Sequence, residues 1–258
     1  MFLTSTTGPT RRRSFSDGAR PGCRYGKMPP MASSGATPAR GPVTVHRIKV
    51  TLAGSRPPIW RRLEVPSAIT LRALHDVMQA AFGWEDYHMW VFESPKGRYG
   101  VADPELRIAD AAAVRLDQLA PAPSGRLVYT YDFGDDWEHA IVVEAVGPAE
   151  PGVAYPRCLT GRRACPPEDC GGIWGYDYLL EILADPTHEE HQERLEWLGL
   201  DSADQFDPAA FDLTRTNAAL SPLASVLVKN RPPRELPCAA PGRSMAGPGL
   251  RADTLGQR

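Results

Sequence analysis

Between residues 43 and 65 the apolar positions recur at every second residue. Val43 and Val45, then Ile48, Val50 and Leu52, alternate with polar neighbours, the period of a strand with one wet face. The phase slips near His46, where a β-bulge is predicted. "PPIWRRLEV" predicts a second strand, reached through Gly54 and Pro57-Pro58 and stopped by Pro66, which has no N–H to give a ladder. The period then changes. Leu71, Leu74, Val77, Met78, Ala81 and Phe82 fall at helical spacing, with Thr70 as N-cap and Gly83 as C-cap. "YHMWVFES" predicts a third strand and "GRYGV" a short fourth. "LVYTYDF" and "WEHAIVVEAV" make a hairpin turned by Gly134-Asp135-Asp136. Two helices follow: one carries Tyr178, Leu179, Ile182 and Leu183 on one side and stops at Pro186, and the other, capped by Thr187 and closed by Gly199, carries Leu195, Trp197 and Leu198. Strands first and helices second, with short links, predict an α+β fold: one domain with a mainly antiparallel sheet and helices packed on it.

Composition bounds that domain. Residues 1–42 are rich in Arg, Ser, Gly and Pro and show no apolar period, so they bury too little surface to offset ordering entropy and are expected to be disordered. The Pro/Gly-rich stretch from Ser221 to residue 258 reads the same way, which leaves 43–220 as the folded part. The first residues hold arginines without the apolar run of a secretory signal, and Met28 and Met31 offer downstream starts. No apolar run is long enough to span a membrane, and a cytoplasmic location is expected.

Charge divides the chain at the same places. Seven Lys or Arg stand against one acid in 1–42 and six against two in 221–258, leaving 16 against 28 between them, a net charge of −12 within a total of −2. Phosphate backbones repel a domain of that sign, so nucleic acid is expected only through the basic tails or a local patch such as Arg61-Arg62.

The hairpin carries the densest chemistry. Tyr129, Tyr131 and Phe133 share a face of its first strand, and Trp137, His139, Ile141 and Val143 a face of the second. Asp135 and Asp136 are expected to serve the turn, Asp132 and Glu138 to project from the opposite face, and His139 to lie among the aromatics. Asp132, Glu138 and His139 are the candidate catalytic residues for metal-assisted hydrolysis. Cys158, Cys165 and Cys170 crowd "CLTGRRACPPEDCGG", at spacings that match no paired C-x-x-C knuckle; with His139 they form a candidate zinc set, against the alternative of buried thiols in a tight loop. His188 and His191 fall one residue short of H-E-x-x-H spacing and read as a solvated helix start. His75, placed on the polar side of the first helix, and His88, beside Tyr87 and Trp90, are further candidates. No phosphate-binding glycine loop or nucleophile elbow is present.

The strings "PPIWRRLEVP", "TLRALHDVMQAAFGWEDYHMWVF", "YTYDFGDDWEHAI", "YPRCLTGRRACPPEDCGG", "GYDYLLEILADPTHEEHQERLEWLG" and "FDPAAFDL", in that order over about 44–216, resemble the plasmid pRiA4b ORF-3-like proteins, also known as the transposon-passenger TnpR type. The resemblance implies an α+β domain associated with mobile elements. Its resolvase label looks derived from genetic neighbourhood, since neither the serine nor the tyrosine recombinase set is found here, and it assigns no role to the motif positions His75, His88, Asp132, Asp135, Trp137, His139, Cys158, Cys165, Glu168, Asp169 and Cys170. Two functions follow from the residues: a non-enzymatic binding or accessory module whose aromatic sheet face (Trp60, Trp90, Tyr129, Tyr131, Trp137) receives a protein or peptide partner, or a metal-dependent hydrolase or nuclease built on a His/Asp/Cys site.

Overall fold

The alternating segments pair edge to edge because each buries one face and must satisfy its backbone laterally. In the computed structural model, which describes residues 43–229, they form one eight-stranded sheet in the order β5-β4-β3-β6-β7-β1-β2-β8. The strands are β1 Thr44–Leu52, β2 Trp60–Pro66, β3 Trp90–Ser94, β4 Gly97–Gly100, β5 Ile108–Asp110, β6 Arg126–Tyr131, β7 Trp137–Pro148 and β8 Arg157–Arg162. Every pairing is antiparallel except β4 with β5. The register does slip between Arg47 and Ile48, but the extra residue is Glu144 of β7; β1 itself pairs with β2 unbroken, and His46 takes a buried position in phase with Ile48, so the bulge expected in β1 belongs to its partner strand. The α+β architecture is therefore as read from the sequence. The expected disordered segment 1–42, and the tail beyond 229, lie outside the described residues.

Helix α1, Leu71–Phe82, covers the inner face of the sheet. Thr70 caps it by accepting from Ala73 N, and Gly83 ends it at φ +83°, a left-handed conformation that costs glycine little. Its apolar stripe meets Ile48, Val50, Leu63, Tyr129, Trp137 and Ile141 in one core. Burying each large side chain there contributes roughly 1.5–3 kcal/mol. Beyond the short α2, Leu116–Leu119, helices α3 (Gly172–Ala184) and α4 (His191–Leu198) build a satellite core of Leu179, Leu183 and Leu195.

Three local expectations change. Thr187 does not cap α4; its N–H and hydroxyl both donate to Asp185, and Glu190 is the N-cap. Tyr178 and Trp197, expected inside, are 45% and 44% exposed. The last helix, α5, runs Leu213–Lys229 with Pro222 inside it, so the expected domain end at residue 220 falls within a helix. Its Leu220 is fully buried against the main core, and Asn217 both accepts from Cys158 N–H (2.8 Å) and donates to Cys158 O (3.0 Å), satisfying the edge of β8. Among the described residues no helix is long and apolar enough to cross a membrane.

Candidate functional site

Three of the quoted strings meet at one end of the sheet. The first, residues 84–89, leaves the C-cap of α1. Asp86, at φ +61°, is tied back by its own N–H to Gln79 Oε1 (3.1 Å) and by its carboxylate to His75 Nε2 (2.7 Å). The second is the β6–β7 turn. Asp132, at φ +56°, takes the chain out of the strand and accepts from Gly134 N–H (2.8 Å), the local bond that makes aspartate a turn residue. The third is the cysteine loop, residues 165–172, which enters α3.

Their mutual bonds are specific. Trp84 Nε1 donates to Pro166 O (3.0 Å), Glu85 N–H to Glu168 Oε2 (2.9 Å), Tyr87 N–H to Tyr131 Oη (3.1 Å), and Asp132 N–H to Met89 O (2.8 Å). The Tyr131 hydroxyl donates to Glu168, and Gly171 N–H donates to Asp135 Oδ2 (3.1 Å). Gly172 lies so close to the turn that a Cβ there would stand 2.3 Å from Asp135 O, and its φ is +66°. Only glycine permits that approach.

His88 is at the junction. Its Nδ1 stands 3.7 Å from Asp132 Oδ2, and its Nε2 is 3.1 Å from Asp169 Oδ1 but out of line for a hydrogen bond. That nitrogen is shut off from solvent and has no partner among the described residues. One ligand atom from each of His88, Asp132 and Asp169 lies within 4.8 Å of the others, the compass of a metal ion's coordination shell. Asp169 is open, with its side chain 65% exposed, whereas Asp132 is nearly covered at 11%. Tyr87, Met89 and Phe133 stand exposed on the first two of these strings, and Trp174 in the first turn of α3. Residues 84–89, 132–136 and 165–172 hold two, three and two carboxylates and no Lys or Arg.

The residues first singled out in the hairpin separate. His139 is sealed: it is fully buried, its Nδ1 faces Trp137 O (2.9 Å) and Tyr129 O (3.3 Å), and burial pushes its pKa down to about 4, so the ring is neutral. Phe82 and Trp84 meet it edge-on. Glu138 is exposed on the other face, as expected, but Asp132 is not there; it sits in the turn and faces His88. Phe133, expected among the aromatics, is 44% exposed because the chain has already left the strand. Asp135 serves the turn and holds Gly171 as well.

Cys158 is buried, and Cys165 and Cys170 are partly covered; burial pushes the latter two thiols up to about 12. Their sulfurs and His139 supply no group of three ligand atoms within 4.8 Å among the described residues, so the expected zinc set has no common point. His188 and His191 part company too: His188 Nδ1 accepts from Glu190 N–H, and His191 Nδ1 pairs with Ile182 O.

His75 is a correction of another kind. It is buried rather than on a polar face, stacked on Trp90 at 4.1 Å between centroids and bonded to Tyr129 Oη (2.8 Å) and Asp86. Burial, opposed by the Asp86 carboxylate, lowers its pKa to about 4. With both ring nitrogens engaged, it anchors the 84–89 segment. The proposed aromatic partner surface is likewise core: Trp90, Tyr129, Tyr131 and Trp137 are at most 4% exposed, and of that set Trp60 is the half-exposed member. Sequence pattern marked these faces as aromatic and had no means of showing that α1 lies over them. His88–Asp132–Asp169 was missed as a set because no period links residues on three separate loops.

The two best-defined hollows among the described residues measure about 70 Å³ and 150 Å³. Small-molecule sites typically measure about 300–1,000 Å³. The smaller hollow is lined by Asp169 and Cys170, and neither hollow by His88 or Asp132, so the junction adjoins only a small hollow.

Comparison with known proteins follows the same boundaries. The family model of the plasmid pRiA4b ORF-3-like protein matches residues 44–215. The uncharacterized protein y4hQ of Sinorhizobium fredii (strain NBRC 101917 / NGR234) is 40% identical over 185 residues, covering 70% of this chain and 93% of its own. A crystal structure of MM3350 from Methanosarcina mazei Go1, described as a protein of unknown function, is similar with a TM-score of 0.60 and 38% identity over 67% of this chain and 97% of that one. The chain belongs to the plasmid pRiA4b ORF-3-like family.

Proposed function

We propose that the protein is a non-enzymatic accessory module that binds a divalent cation at His88, Asp132 and Asp169 and presents it to a partner's anionic group. The observation that carries this reading is the pre-positioned ring of His88, whose Nδ1 faces Asp132 (3.7 Å) and whose Nε2, without a hydrogen-bond partner among the described residues, faces Asp169 (3.1 Å), at a point where three loops are bonded together. One imidazole with carboxylate oxygens suits a first-row ion such as Mn2+ better than a thiol-preferring one. Seven carboxylates on the three loops, of which Asp86 is shared with Arg72 of α1, make the potential there negative before the ion binds. The shallow surroundings favour capture of a partner's side chain or phosphate over enclosure of a small substrate, and the exposed Tyr87, Met89, Phe133 and Trp174 supply apolar contact beside the ion.

A second reading, metal-dependent hydrolysis, is favoured by the ligand count alone, because three protein ligands leave coordination positions for water. Titration of the chelator-stripped full chain with Mn2+, followed by electron paramagnetic resonance, tests the site. One tightly held ion per chain, released by Asp132→Asn and by Asp169→Asn, is expected. Absence of binding, or binding indifferent to both substitutions, overturns the proposal. Metal-dependent turnover of a phosphodiester that Asp169→Asn abolishes would establish the second reading instead.

A further inference from the structure

Away from the loop junction, the sheet has an outer face with the opposite charge. Side chains alternate across a strand, so the residues between the core positions of β6, β7, β1 and β2 all point outward. The register aligns them in rows. Arg126 pairs with Val142, Val142 with Lys49, Lys49 with Arg62, and Arg62 with Thr160. The next row runs Val128, Ala140, Thr51, Trp60 and Arg162. All ten are exposed or half-exposed. At the usual spacing of strands the first row carries its cations across roughly 14 Å from β6 to β2.

Arg47, Lys49, Arg62, Arg126, Arg157 and Arg162 therefore face the same side, against Glu64, Glu138 and Glu144, in a stretch whose net charge is −12. Two of the acids are already spent within the face. Glu144 takes both Arg62 contacts (2.6 and 2.9 Å), and Glu64 is held between Arg47 and Arg157. Lys49, Arg126 and Arg162 form no ion pair among the described residues. Lys49 Nζ and Arg62 Cζ stand 5.0 Å and 5.3 Å from the centroid of the half-exposed Trp60 ring. Arg61, by contrast, contributes nothing to the surface: it is 4% exposed, donates to Ala81 O and Arg162 O, and lies between Phe82 and Phe211. The expected Arg61-Arg62 patch is thus Arg62 with Lys49 and Arg126.

We propose that this outer face docks single-stranded nucleic acid, with Lys49, Arg126 and Arg162 meeting phosphates and Trp60, flanked by the Arg62 guanidinium plane, stacking a base. A sheet face that joins cations to an aromatic ring matches the two things a single strand offers, a charged backbone and an unpaired π-face. A duplex offers no unpaired base, and its denser charge has to pass over the acidic remainder of the domain. The site is independent of the cation at the loop junction.

Fluorescence anisotropy of a labelled oligo-dT strand with the full chain at about 50 mM salt tests this, because phosphate contacts are strongest at low salt. Wild-type protein is expected to bind. The double variant Lys49→Glu with Arg126→Glu, checked for folding by circular dichroism, is expected to bind at least about tenfold more weakly, while Lys49→Arg retains affinity. Ultraviolet cross-linking is expected to mark the peptide carrying Trp60, and Asp169→Asn is expected to leave binding intact. The proposal is overturned if the chain does not bind, or if it prefers duplex to single strand. It is equally overturned if the double variant binds as wild type while Arg11→Glu, Arg12→Glu and Arg13→Glu together abolish binding, or if the chain self-associates in a salt-dependent way without binding the strand.

Discussion

The loop junction and the outer sheet face are built from the same chain by opposite means. At the junction, carboxylates gather on three loops without a Lys or Arg, and the backbone is held by side-chain caps, left-handed aspartates and a glycine contact. On the sheet face, cations are placed by strand register alone, at a spacing the ladder dictates. A net charge of −12 averages over both and describes neither. The comparison teaches that the sign of a domain's total limits what its whole surface attracts from a distance, whereas local charge is set by which elements a fold brings side by side.

The substitution with the largest expected effect acts on the junction through its backbone. Gly172→Ala forces a Cβ against Asp135 O at a positive φ, so it should cost about 3 kcal/mol in urea unfolding and loosen Mn2+ binding, while leaving oligo-dT affinity unchanged in the folded fraction. Loss of strand binding by folded Gly172→Ala protein would break the separation of the two regions. Next in size, Asp132→Asn combined with Asp169→Asn should weaken Mn2+ by at least about 100-fold with little loss of stability, read by equilibrium dialysis beside a thermal melt. Removing charge from a crowded acidic end relieves repulsion and offsets the lost contacts.

Titration of the buried His139 gives a readout of the sheet core that is independent of the junction. In the folded protein His139 is neutral down to about pH 4, whereas in the unfolded chain it takes up a proton near pH 6.5. The unfolded state therefore binds more protons within that window, and stability falls as pH drops through it. The loss should reach about 2 kcal/mol from His139 by pH 5, above the range where carboxylates protonate. Urea midpoints from pH 7 to 5 check this, and His139→Gln should flatten the slope. The smallest effect belongs to Glu138→Gln, which should change stability by less than about 0.5 kcal/mol and leave Mn2+ affinity as it is, since the side chain is exposed away from the junction.

How much of this was legible in the sequence depends on whether the signal was local. The strands and α1 with both caps follow from period and capping residues, which act within a few positions, whereas the bulge lies at Glu144 of β7, where no slip of period was read. Asp132 misled because one left-handed residue ended the strand early, moving its carboxylate from the far face to the turn and Phe133 into solvent. Trp197 and Tyr178 fit apolar stripes yet lie open, because short helices at the rim have little core to reach. Pro222 concealed the second half of α5, whose first half is anchored by Asn217 on β8, a contact with no sequence period. The histidines show the limit most plainly. His139 stood out by lying between aromatics, and that same setting buries it. His88 was one candidate among several beside aromatics, and its partners come from two other loops.

The central claim is that the loop junction is a cation site. Crystals of the full chain grown with Mn2+ and measured at the manganese absorption edge test it most directly. An anomalous peak at bonding distance from His88 and Asp169, absent in Asp169→Asn crystals, is the expected result. A peak at Cys158, Cys165 or Cys170 instead, or none at the junction, would contradict the account.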